Sequence, residues 1–235
     1  MCCSLFVILL LAHFIGDFLL QTSSLCRQKR KKKANSWFQY VHALSIALLS
    51  WAAIWDIRLW YVALAIGISH LLIDIGKSYL KKESVWVFVI DQFLHILIMA
   101  VAAWICVYRL GWSAPAWLTR SIMRGEAIAL AAIICWRPEN ILIRSILQYK
   151  QVYIPSEPIS FLAGQLIGIL ERWLILVFIL IGHYEVIGFL IAAKSIIRFG
   201  EKDHDKTEYF LAGTLLSIAI AVGCGLMVKS LIALN

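Results

Sequence analysis

Along this chain hydrophobic residues do not alternate with polar ones; they run on for whole helices at a time. Apolar stretches occupy roughly residues 4–25, 37–55, 58–77, 85–108, 126–149, 159–181, 186–199 and 209–232. A helix of about 20 mostly apolar residues crosses the hydrocarbon layer of a bilayer. A membrane β-barrel would instead show segments of about ten residues with alternating polarity. The pattern therefore predicts an all-α fold: a polytopic transmembrane helical bundle of about eight hydrophobic segments, six to eight of them spanning. Two segments are weak. "CWRPENILIRS" interrupts the fifth, and Pro138 ends or kinks a helix there. The seventh is short and carries Lys194 and Arg198, which suits a helix lying along the interface.

Composition agrees. Of 235 residues 62% are hydrophobic, too much apolar surface for one soluble core. The net charge of +8 is uneven, because six of the 22 basic residues fall in "RQKRKKK" (27–33). In a soluble protein such a block points to nucleic acid. Between two hydrophobic segments it reads as a cytoplasmic loop against anionic headgroups, with membrane lipid as the partner and no nucleic acid expected. Further basic residues follow segment 3 (Lys77, Lys81, Lys82) and cluster around 137–150 and 194–206, while the opposite loops hold Arg58, Arg109, Arg120 and Arg124. The positive-inside rule then puts the N-terminus outside. The connection "RLGWSAPAWLTRSIMR" (109–124) predicts a division into a four-helix unit, 1–108, and a C-terminal unit, 109–235. Six cysteines show no metal-ligand spacing, and most read as small buried hydrophobes. The first segment lacks a basic start and a small-residue cleavage motif, so it reads as a span rather than a signal peptide.

The polar residues inside the spans carry the chemistry. Three pairs stand at i,i+4 within the first four segments: His13 with Asp17, His70 with Asp74, and Asp91 with His95; His42 adds a fourth imidazole. That spacing puts both members of a pair on one helix face. A charge at the bilayer centre costs roughly 2.5–3.5 kcal/mol on insertion scales, so something must offset it. Counted from the basic loops at about 1.5 Å per residue, all seven lie within about 20 Å of the same membrane face. If the four helices bundle with these faces inward, the residues converge. "AHFIGDFLLQ" and "SHLLIDIGKS" share H-x3-D, each followed one span later by another histidine, which suggests a parallel duplication of two half-sites.

Imidazoles and carboxylates out of water suit a divalent ion such as Zn, Mn or Fe. Four helices supplying ligands is an established way to build a metal site in a bundle core. The candidate ligands are His13, Asp17, His42, His70, Asp74, Asp91 and His95, and an aspartate among Asp17, Asp74 and Asp91 not used by the metal would act as general base. Gln21, Lys77 and Gln92 at the rim would hold a polar or anionic substrate group. The bland alternative is that these pairs are interhelical hydrogen bonds worth only ~0.6–2 kcal/mol each. In the C-terminal half Glu171 and Arg172 are neighbours that point about 100° apart on a helix, so Glu171 finds its partner in Lys194 or Arg198, a weaker second candidate site. "GEKDHDKTE" (200–208) reads as a solvated loop.

The segments "AHFIGDFLLQ", "VHAL", "SHLLIDIGK" and "DQFLH", with "GQLIGILERWLIL" and "IGFLIAAKSIIRFGE" further on, resemble an uncharacterised bacterial membrane family, domain of unknown function 3307, over nearly the whole chain. The resemblance implies a multi-pass protein of the bacterial inner membrane and no established activity. The H-x3-D spans are more distantly similar to membrane-bound metal-dependent hydrolases. The functional expectation is metal-dependent hydrolysis of a lipid-linked or phosphorylated substrate at the cytoplasmic leaflet. A transporter or channel using the same residues, and a structural or partner-binding subunit, are the alternatives; a homo-oligomer stays open.

Overall fold

The structure is a computed structural model that describes residues 2–80, 84–150, 158–198 and 204–234. Among them there is helix and no strand, and six helices are long and apolar enough to cross a membrane. They cover Cys2–Leu19, Trp37–Ile54, Ile57–Ser78, Val85–Tyr108, Gly164–Ile181 and Leu211–Ala233. This is a multi-pass helical membrane protein. Lys81, Lys82 and 200–203, read above as loop positions, lie outside the described residues.

The chain falls into two compact units, Met1–Leu130 and Ala131–Asn235. The first contains α1 (Cys2–Phe14), α2 (Ser23–Lys32), α3 (Trp37–Ile54), α4 (Trp60–Ser78) and α5 (Val85–Tyr108). In it α1 packs on α3 and α5, and α4 packs on the same two helices, so the four long helices close into a ring. The pairing α1 with α3 is matched by α4 with α5, as a duplication of the first two spans would require. Leu5, Leu9, Ile46, Ile54, Ile66 and Met99 fill one end of the ring. Outward faces carry exposed Leu44, Leu48, Leu64, Leu72, Phe93 and Leu97, while His13, His42, His70 and His95 are buried. Polar inside and apolar outside reverses the order of a soluble protein and fits a lipid environment.

Local sequence explains the ends. Ser84 Oγ accepts from the Val87 N–H at 3.3 Å and caps α5. Buried Trp112 donates its indole N–H to the Ile54 carbonyl at 2.7 Å, satisfying a C-terminal carbonyl of α3. The first span ends earlier than residue 25, at Leu19, and "RQKRKKK" belongs mostly to a helix rather than a loop, α2. Lysine and arginine are good helix formers, and a charge run does not by itself unwind a helix.

α6 (Arg120–Ile134) begins in the first unit and ends in the second, where α7 (Arg137–Tyr149), α8 (Pro158–Ile181), α9 (Tyr184–Arg198) and α10 (His204–Leu234) follow. The predicted fifth segment is thus two short helices, with Pro138 in the first turn of α7, where its missing N–H costs no hydrogen bond. The seventh, α9, has 15 described residues and is not among the helices long and apolar enough to span. His204–Glu208, read as loop, belong to α10. α8 packs on α9 and α10, and α7 on α10, around buried Cys135, Ile175, Ile179, Ile187 and Ala221.

Candidate metal centre

Two local features bring the polar faces of the ring together. Residues Ile15–Leu19 continue α1 as a π turn, in which the Leu20 N–H donates to the Ile15 carbonyl at 3.1 Å. The wider turn carries Asp17, and such turns recur at functional sites. Glycine supplies the second. A Cβ on Gly16 would collide with Ile46 Cδ1, and one on Gly67 would lie 2.7 Å from Ala47 Cβ and 2.9 Å from the Ala43 carbonyl oxygen. Glycine at both places lets α3 approach α1 and α4 closely, just where Asp17 and His70 project.

Four donor atoms from α1, α3 and α4 then cluster. His42 Nε2 is 3.1 Å from Asp17 Oδ1 and 3.0 Å from His70 Nε2. His70 Nε2 is 3.4 Å from the same Asp17 oxygen and 3.6 Å from Asp74 Oδ2, and His42 Nε2 is 3.8 Å from that Asp74 oxygen. Ligands at 2.0–2.2 Å from a tetrahedral ion stand about 3.3–3.6 Å from one another. The separations observed bracket that range. Two neutral imidazoles and two carboxylates suit Zn, Mn or Fe.

The other predicted ligands surround this group. Donor atoms of His13, Asp17 and His70 lie within 4.8 Å of one another, as do those of Asp74, Asp91 and His95. His13 Nε2 is 3.8 Å from Asp17 Oδ2, and its ring stacks on that of His95 with centroids 5.0 Å apart. His95 Nδ1 donates to the Asp91 carbonyl at 2.8 Å, since a carbonyl only accepts. All seven predicted residues therefore meet in one buried cluster, in which Asp17 is the least enclosed.

Two lysines supply counter-charge. Lys77 Nζ donates to Asp91 Oδ2 at 2.6 Å and stays partly exposed at the rim. Lys29, on the inner face of α2, donates to Asp74 Oδ2 and reaches Gln21 Oε1 at 3.3 Å. Gln21 in turn donates to Cys26 Sγ at 2.8 Å, and Gln92 donates to Asp91 Oδ2 at 3.2 Å. The sequence offered no way to single out Lys29 from its basic neighbours; only its burial does so. Gln39 was also missed. It lies three residues before His42, is 1% exposed, and neither amide atom has a hydrogen-bond partner. Its sequence signal was its position one turn from a buried histidine.

In the second unit Lys194 donates to Glu171 Oε2, one of the two pairings foreseen. The side chain of Arg198 lies outside the described residues. The more buried pair was not foreseen: Arg172 Nε stands 3.2 Å from Glu139 Oε2. The same guanidinium donates to the Cys135 carbonyl at 2.7 Å, to Ser217 Oγ at 3.1 Å and to Asn140 Oδ1 at 2.9 Å. A fork used in so many directions holds helices together.

No curated protein and no solved structure matches the chain. The C-terminal motifs quoted above fall beyond the family match, which ends shortly after the fourth long helix. Residues 5–122, which carry every ligand of the candidate centre, match the family described as protein of unknown function (DUF3307), and the chain belongs to that family.

Proposed function

We propose that this protein is a membrane-embedded, metal-dependent hydrolase acting on a lipid-linked or phosphorylated substrate at the cytoplasmic leaflet of a bacterial inner membrane. One observation carries the reading: His42 Nε2 and His70 Nε2 stand 3.0 Å apart, and each lies 3.1–3.8 Å from an oxygen of Asp17 and one of Asp74, buried within an apolar bundle. A divalent ion there would offset the burial of the carboxylates and would supply a bound water with its pKa lowered towards about 7. Asp17 would help to hold such an ion and would serve as a proton acceptor, with His13 Nε2 3.8 Å from its Oδ2. Lys77, Gln21 and Gln92, at the rim, are placed to hold an anionic group. Arg27, Arg30, Lys31 and Lys32 are exposed on α2, which suits a surface that draws anionic headgroups, each basic residue contributing about 1 kcal/mol. The positive-inside rule assigns α2 to the cytoplasmic face.

Elemental analysis of the purified chain, wild type against His70→Ala, tests the reading. A stoichiometric divalent metal in the wild type that is lost in the variant is the expected result. Absence of metal from both, after growth and purification with Zn and Mn supplied, overturns it.

A further inference from the structure

We infer that the cluster is a dinuclear centre, with a second divalent cation held by Asp91, His95 and a shared Asp74, and that its substrate is a phosphate ester. This rests on the metal-enzyme reading above and extends it. The four-ligand group leaves Asp91 and His95 unused, yet both are buried. Asp91 Oδ1 and His95 Nε2 have no hydrogen-bond partner. A buried polar atom in that condition calls for an explanation. The His95 ring supplies one. Its Nδ1–H is committed to the Asp91 carbonyl at 2.8 Å, which fixes the tautomer and leaves the buried Nε2 with a lone pair and no partner. Metal-binding histidines are held in this way, by a backbone carbonyl on the far nitrogen. Donor atoms of Asp74, Asp91 and His95 lie within 4.8 Å of one another, and Asp74 also belongs to the first group. A shared carboxylate is the usual bridge between two ions about 3.5–4 Å apart.

Charge then selects the substrate. Asp17, Asp74 and Asp91 bring three negative charges, and Lys29 and Lys77 bring two positive ones within the same cluster. Two divalent ions leave the pocket with an excess of positive charge, which an anion must neutralise. Paired ions stabilise both the attacking and the leaving oxygen of an in-line displacement at phosphorus. In that step the water oxygen forms a new bond to phosphorus and the ester P–O bond breaks. The leaving alkoxide departs as the alcohol with the water's proton, and no oxidant or reductant is needed. A lipid headgroup and a soluble phosphate ester share this chemistry.

The test is metal content and magnetic coupling of the full chain in detergent, loaded with Mn²⁺ and freed of excess. Two ions per chain with a spin-coupled electron paramagnetic resonance spectrum is the expected result, and His95→Ala retains one uncoupled ion. One ion in the wild type overturns the second site and leaves the metal-enzyme reading standing; none overturns both. Hydrolysis is then read with p-nitrophenyl phosphate in solution and with phosphatidic acid in vesicles. Turnover of the first assigns soluble esters, and turnover of the second alone assigns the headgroup. Failure of both by the two-ion protein overturns the phosphate ester as substrate.

Discussion

His42 Nε2 faces His70 Nε2 at 3.0 Å, and both nitrogens lie against the same oxygen of Asp17. Two imidazole nitrogens at that distance cannot both present lone pairs to each other. Either one of them donates a proton or a cation sits between them. The carboxylates at 3.1 and 3.6 Å would serve either arrangement, accepting a proton from an imidazole or adding two lone-pair donors around the proposed ion.

Removing the His42 imidazole or the Asp17 charge should therefore weaken metal binding. His42→Ala and Asp17→Asn are each expected to weaken divalent-ion affinity by more than the roughly 10–100-fold that follows loss of an outer partner. Calorimetric titration of Zn²⁺ or Mn²⁺ into chelator-treated protein checks this. Unchanged affinity in both variants would show that these side chains do not hold the ion.

Lys29 and the metal compete for the same carboxylate. The ammonium is buried against Asp74 Oδ2, one of the four donor atoms. Breaking a buried pair by removing one partner costs roughly 3–5 kcal/mol. Lys29→Met is thus expected to lower the melting temperature of chelator-treated protein and to bind metal more tightly than the wild type. Once metal is bound the difference in melting temperature should shrink, since the ion replaces the lost counter-charge. An equal loss with and without metal would mean that Lys29 serves the fold and not the site.

The convergence of seven residues was legible because it needs only helical spacing and depth. The i,i+4 pairs fix which face each residue occupies, and the basic loops fix the height of His13, His70 and His95 in the membrane. Other features were not. Nothing in "IGDFL" announces that Asp17 sits in a π turn, since that turn depends on how α1 meets its neighbours. Burial of Lys29 depends on which face of α2 turns inward. Glu139 pairs with Arg172 across 33 positions of sequence, whereas local reasoning about Glu171 reached only its own pairing with Lys194. Short helices such as α6 and α7 look like one interrupted span, because hydrophobicity alone does not record a change of direction.

Two glycines that appear equivalent in the sequence should respond differently to substitution. At Gly67 a methyl group meets the Ala43 carbonyl and Ala47, backbone and stub that cannot swing aside. At Gly16 it meets the tip of the Ile46 side chain, which has other rotamers. Gly67→Ala is expected to cost about 1–3 kcal/mol through overpacking and to weaken metal binding by spreading α3 from α4. Gly16→Ala should cost less. Thermal unfolding in detergent, paired with metal titration, checks the order; the reverse order would place the tight contact on α1 instead.

The Arg172 fork should matter for stability and leave metal content alone. Its guanidinium joins Glu139 and Asn140 of α7, Ser217 of α10 and the carbonyl of Cys135, and all of these belong to the unit that follows Leu130. Arg172→Met strands the buried Glu139 carboxylate and is expected to destabilise by roughly 3–5 kcal/mol. Adding Glu139→Gln removes the stranded charge, so the double variant should recover part of that loss. Metal per folded chain should match the wild type in both, because every candidate ligand lies before residue 96. Loss of metal from a variant that still folds would mean that the second unit shapes the centre directly.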